Sequence, residues 1–166
     1  MVLIGGAEHE KDYEYVSKWV SDQRIHALWC ANLIPYPLEK EGFYKLLAEA
    51  EERFGDSPFV ATTEEGKVVG FFCFSVNLST NEGMLKFVVI DASERNKGYG
   101  CEMLKLAVKY AFEIAKADAV QLNVFAENPG ARKCYEKVGF KERVLTEGAF
   151  RYKEEAWGRC NMVIRR

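Results

Sequence analysis

Arg95-Asn96-Lys97-Gly98-Tyr99-Gly100 stands between an apolar run, Met84 to Ile90, and an amphipathic stretch, Cys101 to Lys116. A strand that leaves through a glycine-bearing turn and opens a helix presents that helix's first backbone N–H groups unpaired and aimed along its axis. An anion is the natural occupant. Gly98 and Gly100 remove side chains that would block a close approach, while Arg95 and Lys97 add positive charge beside the positive end of the helix dipole. The ligand implied is nucleotide-like and carries a diphosphate. The spacing is not that of a Walker A loop, because Cys101 stands where a hydroxyl residue would be needed. Nor is it the dinucleotide fingerprint, since the first of three glycines is missing. Without a ligand, the same residues read as a glycine-relieved helix start with basic side chains facing water.

A second constellation follows: Asn128-Pro129-Gly130-Ala131-Arg132-Lys133-Cys134-Tyr135-Glu136-Lys137-Val138-Gly139-Phe140. Pro129 at a helix start and Gly139 past its end frame a short helix. Tyr135 lies one turn before that end. A phenol with an ordinary pKa of about 10 holds its proton at neutral pH and can act as a general acid.

The elements that must position these residues follow from periodicity. Asp12 to Trp19 reads as a short helix, Ser21 to Leu33 as a helix-turn segment broken by Pro35 and Pro37, and Leu38 to Phe54 as a surface helix with Phe43, Leu46, Leu47 and Ala50 on one face. From Phe59 the period changes to two. Phe59 to Thr63, Val68 to Val76 and Met84 to Ile90 form an antiparallel meander across turns at Glu64 to Lys67 and Ser79 to Gly83. The stripe Leu104, Ala107, Val108, Ala111 and Ala115 belongs to a helix lying on that sheet. Ala119 to Phe125 is the next strand, connected through the helix and so parallel to Met84 to Ile90. Phe140 to Leu145 and Trp157 to Ile164 close the sheet around a polar, aromatic loop. The fold class is α+β.

Composition bounds the function. At 166 residues, with 48% hydrophobic and 29% charged side chains, the chain reads as one globular domain, residues 1 to 166. A net charge of −2 argues against a nucleic-acid partner, which calls for a basic surplus. Five scattered cysteines without a Cys-x-x-Cys pair, and two histidines, form neither a metal cluster nor a disulfide framework. The absence of a signal sequence and of a membrane-length apolar run gives a cytoplasmic expectation with no membrane partner.

The two motifs, in this order and with a helix and strand between them, resemble the acetyl-CoA-binding half of the GNAT N-acetyltransferase superfamily over about Phe59 to Phe140. With Trp157 to Ile164 included, the pattern is most similar to the ribosomal-protein alanine acetyltransferase-like branch. The resemblance implies a GNAT-like single domain, a mixed, mostly antiparallel sheet flanked by helices, whose splayed parallel strand pair holds acetyl-CoA. It implies that Val88, Val89 and Ile90 offer backbone groups to the pantetheine arm. Arg95, Asn96, Lys97, Gly98, Tyr99, Gly100 and Cys101 would hold the pyrophosphate, Asn128 would hydrogen-bond near the thioester, and Tyr135 would protonate the departing thiolate. Trp29 and Tyr36 would line the acceptor pocket, and Phe150, Tyr152 and Trp157 flank the same side. The acceptor would be a primary amine, on a small molecule or a protein N-terminus, and the assembly a monomer or homodimer; no metal is implied.

Two departures bear on mechanism. Asn123 stands where many relatives carry a Glu, which leaves Glu8, His26, Asp91 and Glu147 as replacement bases and water as the other route for the proton. Ala92 replaces a proline often found before the loop. Direct transfer makes an acyl-cysteine on Cys101 or Cys134 unnecessary, and no His is near either in sequence. The alternative function is a non-catalytic acyl-CoA sensor on the same fold.

Overall fold

The computed structural model describes residues 1–6 and 9–166. The strands are β1 (Val2–Gly5), β2 (Ser57–Thr62), β3 (Val68–Asn77), β4 (Glu82–Ile90), β5 (Ala119–Phe125), β6 (Lys141–Tyr152) and β7 (Glu155–Arg165). The helices are α1 (Asp12–Trp19), α2 (Gln23–Cys30), α3 (Lys40–Phe54), α4 (Tyr99–Glu113) and α5 (Pro129–Val138). One sheet takes the order β1-β2-β3-β4-β5-β7-β6, antiparallel throughout except between β4 and β5.

Alternation along β3 decides how that sheet is covered. Phe72 and Phe74 join the core formed with α4, α5 and β5, whereas Phe71 and Cys73 join the core formed with α1, α2 and α3. A strand buried on both faces must lie inside a sheet covered on both sides. Met103, Leu104, Ala107, Val108 and Ala111 are the buried face of α4, so the stripe read from the sequence packs on the sheet as expected. A third cluster joins Ala27 of α2 to Phe125, Tyr152 and Trp157. There Arg24 reaches Glu155 with both guanidinium nitrogens, at 2.6 and 3.1 Å, and lies over the Trp157 ring at 5.0 Å. These contacts tie α2 to the β6–β7 hairpin.

Two elements differ from the sequence reading. β1 pairs antiparallel with the edge of β2 and leaves no mark in the sequence, because four residues beside two glycines carry too little periodicity. The expected polar, aromatic loop after Leu145 is instead strand: β6 and β7 pair as far as Tyr152 and Glu155, leaving Lys153 and Glu154 as the turn. β6 is an edge strand exposed from Lys141 to Ala149, so it shows no buried face for alternation to reveal.

Candidate active site

β4 and β5 share four registered pairs, Glu82 to Leu85 against Ala119 to Leu122. Beyond them β4 stays with β3 and β5 stays with β7, through Asn123 opposite Asn161 and Phe125 opposite Arg159. The parallel strands therefore part at Lys86 and Asn123. From there to Ile90 no strand among the described residues lies on the β5 side of the β4 backbone, and an extended ligand could add itself there.

A bulge sits at the parting. Cys73 faces Lys86 while Phe71 faces Val89, so Phe87 and Val88 together oppose Phe72. The extra residue turns the strand over: Leu85 packs toward α4 and α5, yet Val89, four residues on, packs toward α1, α2 and α3. Phe87 takes a φ of 52°, the left-handed region, which for a bulky residue costs about 1–2 kcal/mol. Trp29 holds it there. The indole Nε1 donates to the Phe87 carbonyl at 2.9 Å, and the two rings lie 5.7 Å apart.

The loop after β4 prepares a helix N-terminus. A short 3₁₀ turn, Ala92–Glu94, is capped by Asp91, whose Oδ1 accepts from the Ser93 amide at 2.9 Å. Gly98 then serves as N-cap of α4 at φ 88°, with no side chain to cap the first turn. The leading N–H groups of α4 are thus open to an outside acceptor, which is the arrangement that binds phosphate. Gly100 leaves room: a Cβ there would stand 3.4 Å from Ile90 Cγ1 and 3.6 Å from Cys134 Sγ. Arg95 is exposed and has no carboxylate partner among the described residues, while Lys97 pairs with Glu94 at 2.8 Å and Lys67 pairs with the same carboxylate. Those two lysines hold the Glu94 carboxyl below its usual pKa.

α5 supplies the other wall. Asn128 caps it, Oδ1 accepting from the Ala131 amide at 3.3 Å, which leaves its amide nitrogen to donate elsewhere. Tyr135 is 7% exposed. Burial, with the Cys134 thiol beside it, pushes the phenol's pKa well above its ordinary value, and among the described residues no group accepts its proton. It stays protonated across the neutral and mildly alkaline range. The Cys101 and Cys134 sulfurs stand 2.8 Å apart on facing helices.

These parts enclose one cleft of about 650 Å³, inside the range of ordinary small-ligand sites. Its wall includes Val88, Val89, Ile90, Arg95, Asn96, Gly98, Gly100, Cys101, Asn128, Tyr135 and Trp29, residues the sequence singled out from four separate segments. Lys97, Tyr99 and Tyr36 are not part of that wall. Tyr36 instead donates its hydroxyl to the Ser21 carbonyl at 2.9 Å and packs edge-on to His26. Asn123 does face the cleft, its Oδ1 accepting from Asn161 Nδ2 at 3.0 Å.

Of the replacement bases, Glu8 lies outside the described residues. His26 is fully buried against Asn32 and Cys30, and burial lowers its pKa, so it is a neutral core imidazole. Asp91 is used as a cap and Glu147 is exposed on β6. A further carboxylate, Glu127, stands just past the end of β5. Its Oε1 takes the Gly158 amide at 3.4 Å while its Oε2 is buried without a partner. Nothing in its local sequence marks it, because its setting is made by β7. Among the described residues no cluster of His, Cys, Asp or Glu is arranged for a metal ion, and no helix is long and apolar enough to cross a membrane.

A family model described as the acetyltransferase (GNAT) family matches residues 13–140. The chain belongs to that family. MJ1207 of Methanocaldococcus jannaschii, described as an uncharacterized N-acetyltransferase, is 29% identical over 114 residues, which are 66% of this chain and 48% of that protein. MJ1530 of the same organism, described in the same words, is 28% identical over 98 residues, 59% of this chain and 62% of that protein. The chain thus matches about half to three-fifths of the length of these relatives. Among solved structures, spermidine N-acetyltransferase from Vibrio cholerae in complex with CoA and spermine superposes with a TM-score of 0.81 at 19% identity, covering 99% of this chain and 94% of that one. A chimera of that enzyme superposes with a TM-score of 0.79 at 17% identity, covering 99% and 96%. At such identities the likeness is one of fold.

Proposed function

We propose that the chain is an acetyl-CoA-dependent N-acetyltransferase that moves an acetyl group to a primary amine by direct attack on the thioester. One observation carries this reading: a single cleft unites an open strand edge, an uncapped helix N-terminus and a buried phenol that has no partner among the described residues. The first suits a pantetheine arm, the second a pyrophosphate and the third a departing thiolate. In this reading the cosubstrate supplies an activated thioester. The chain's residues do the rest.

The open backbone at Val88 to Ile90 pairs with the pantetheine amides, as an added strand would. The amides of Gly98 to Cys101 and the Arg95 guanidinium take the pyrophosphate, and Asn128 donates near the thioester from its free amide nitrogen. Tyr135 gives its proton to the thiolate as the carbon–sulfur bond breaks. Trp29 acts through Phe87: by fixing the bulge carbonyl it sets where the neighbouring amides of β4 point. With Asn123 in place of a carboxylate, the amine attacks neutral or loses its proton through water.

For the acceptor we favour a small primary amine. The fold neighbours named for spermidine support that class, whereas the resemblance to ribosomal-protein alanine acetyltransferases points to a protein N-terminus. A panel with a polyamine, an amino acid, an aminoglycoside and an alanine-initiated peptide, read by thiol release and by mass of the acetylated product, separates them. Asn123 favours the acyl-CoA sensor reading and the unpartnered Tyr135 hydroxyl opposes it. Tight CoA binding with no product on any amine would select the sensor.

A further inference from the structure

Two thiols at one ligand cleft invite a chemistry that acetyl transfer does not use. Cys101 lies in the first turn of α4 and Cys134 in α5, and both are half-buried in the cleft wall. Their sulfurs are 2.8 Å apart, against about 2.04 Å for a disulfide bond. The other three cysteines, Cys30, Cys73 and Cys160, are buried.

We propose that Cys101 and Cys134 are a dithiol modification site for small disulfides, which closes the cleft to its cofactor when oxidised and is shielded when the cofactor is bound. Cys101, in the first turn of α4 and in the cleft wall, is assigned the attacking step. Burial and the adjacent sulfur push Cys134 up to about 12, so it stays protonated until the mixed disulfide forms beside it. In the first step the Cys101 thiolate attacks one sulfur of the small disulfide, forming a mixed disulfide and expelling one thiolate. In the second, Cys134 gives up its proton to that thiolate and attacks the Cys101 sulfur, expelling the other. Two protein thiols are oxidised and one disulfide is reduced to two thiols, with no further oxidant.

Bond formation draws the sulfurs together by about 0.8 Å. The pair stands where a Cβ on Gly100 would lie 3.6 Å from Cys134 Sγ, in the gap between α5 and the first turn of α4. A disulfide there would fix α5 to the first turn of α4, across the wall that the pyrophosphate and pantetheine must pass. The shielding and the loss of affinity rest on the acetyl-CoA reading; the pairing of the two thiols does not.

The test treats the reduced full chain with excess oxidised glutathione, with and without CoA, and reads intact mass, peptide linkage and CoA affinity by calorimetry. Expected are a loss of two hydrogens, a Cys101–Cys134 linkage and no retained glutathione. CoA affinity should fall at least tenfold, recover with dithiothreitol, and saturating CoA should slow the oxidation at least tenfold. Cys134→Ser should stop at a glutathione adduct on Cys101. A different cysteine pair, a lasting adduct on Cys101 of the wild type, or an oxidised chain that binds CoA as well as the reduced one overturns the proposal. A reduced chain that never binds CoA overturns the switch and the proposed function together, and the linkage map then still reports whether the pair forms.

Discussion

Gly98→Glu tests the anion site at its most exposed point. Gly98 adopts φ 88°, and a Cβ there would meet nothing within 4 Å, so substitution meets backbone strain and no collision. That strain costs about 1–2 kcal/mol for an ordinary L residue, and it lowers the melting temperature with or without ligand. The carboxylate adds a ligand-dependent effect. At about 4 Å from a phosphate oxygen, one negative charge costs about 1 kcal/mol in water-like surroundings and about 4 kcal/mol at an effective dielectric of 20. The corresponding loss of CoA affinity runs from about fivefold to several hundredfold, and it shrinks as salt rises. With CoA at about a hundred times the wild-type Kd, native-state binding stabilises the wild type by about 2.7 kcal/mol, or about 5–10 °C for a chain of this size. A variant weakened a hundredfold keeps about 0.4 kcal/mol, near 1 °C. Gly98→Asn is the control, because Asn tolerates a positive φ and carries no charge. The assay is the CoA-induced shift in melting temperature, measured from each variant's own baseline. Equal shifts for wild type, Gly98→Asn and Gly98→Glu would refute the assignment of this helix start to a phosphate group.

Other expectations concern the chemistry. Tyr135→Phe should keep CoA affinity near normal and slow turnover by about ten- to a thousandfold where chemistry limits the rate; an unchanged rate would make the phenol a packing residue. Trp29→Phe removes the indole donor and leaves the Phe87 carbonyl unpaired; it should cost about 1–3 kcal/mol of stability and lower kcat more than it weakens CoA binding, whereas a change in acceptor KM alone would assign Trp29 to the amine pocket. The kcat/KM of wild type should climb with pH from 7 to 9 for an alkylamine of pKa about 10.4, because the neutral fraction grows about tenfold per unit. Burial raises the Tyr135 pKa, so the acid stays loaded as pH rises and adds no falling limb in that window. Asn123→Glu should bring in an inflection near the pKa of the new carboxyl, and a wild type that already levels off near pH 7 would show that a side-chain base is present.

Much of this site was legible before the fold. The glycines at positions 98 and 100, the Asn128-Pro129 start and the Gly139 stop are local signals, since each answers a backbone need within a few residues. The helix at Asp12–Trp19 and the strand at Ala119–Phe125 were read with their observed bounds, because their apolar faces repeat at the period of the element. The bulge at Phe87 was not legible: a bulge is a relation between β4 and β3, and neither strand carries a glycine there to mark it. The role of Trp29 is hidden for the same reason, as its acceptor lies 58 residues away. Glu127 and the Cys101–Cys134 approach likewise exist only once β7 meets the β5 exit and α5 meets α4. His26 shows the opposite failure. It is one of four candidate replacement bases in the sequence, and the fold buries it completely.

The most direct test of the whole account is incubation of the purified chain with acetyl-CoA and the amine panel, following free CoA and the acetylated product by mass in the same sample. The account predicts that one primary amine gains an acetyl group in a one-to-one ratio with CoA released, at a rate that Tyr135→Phe lowers at least tenfold. Calorimetric binding of CoA accompanied by no product from any amine, or product formation that Tyr135→Phe and Gly98→Glu both leave unchanged, would contradict it.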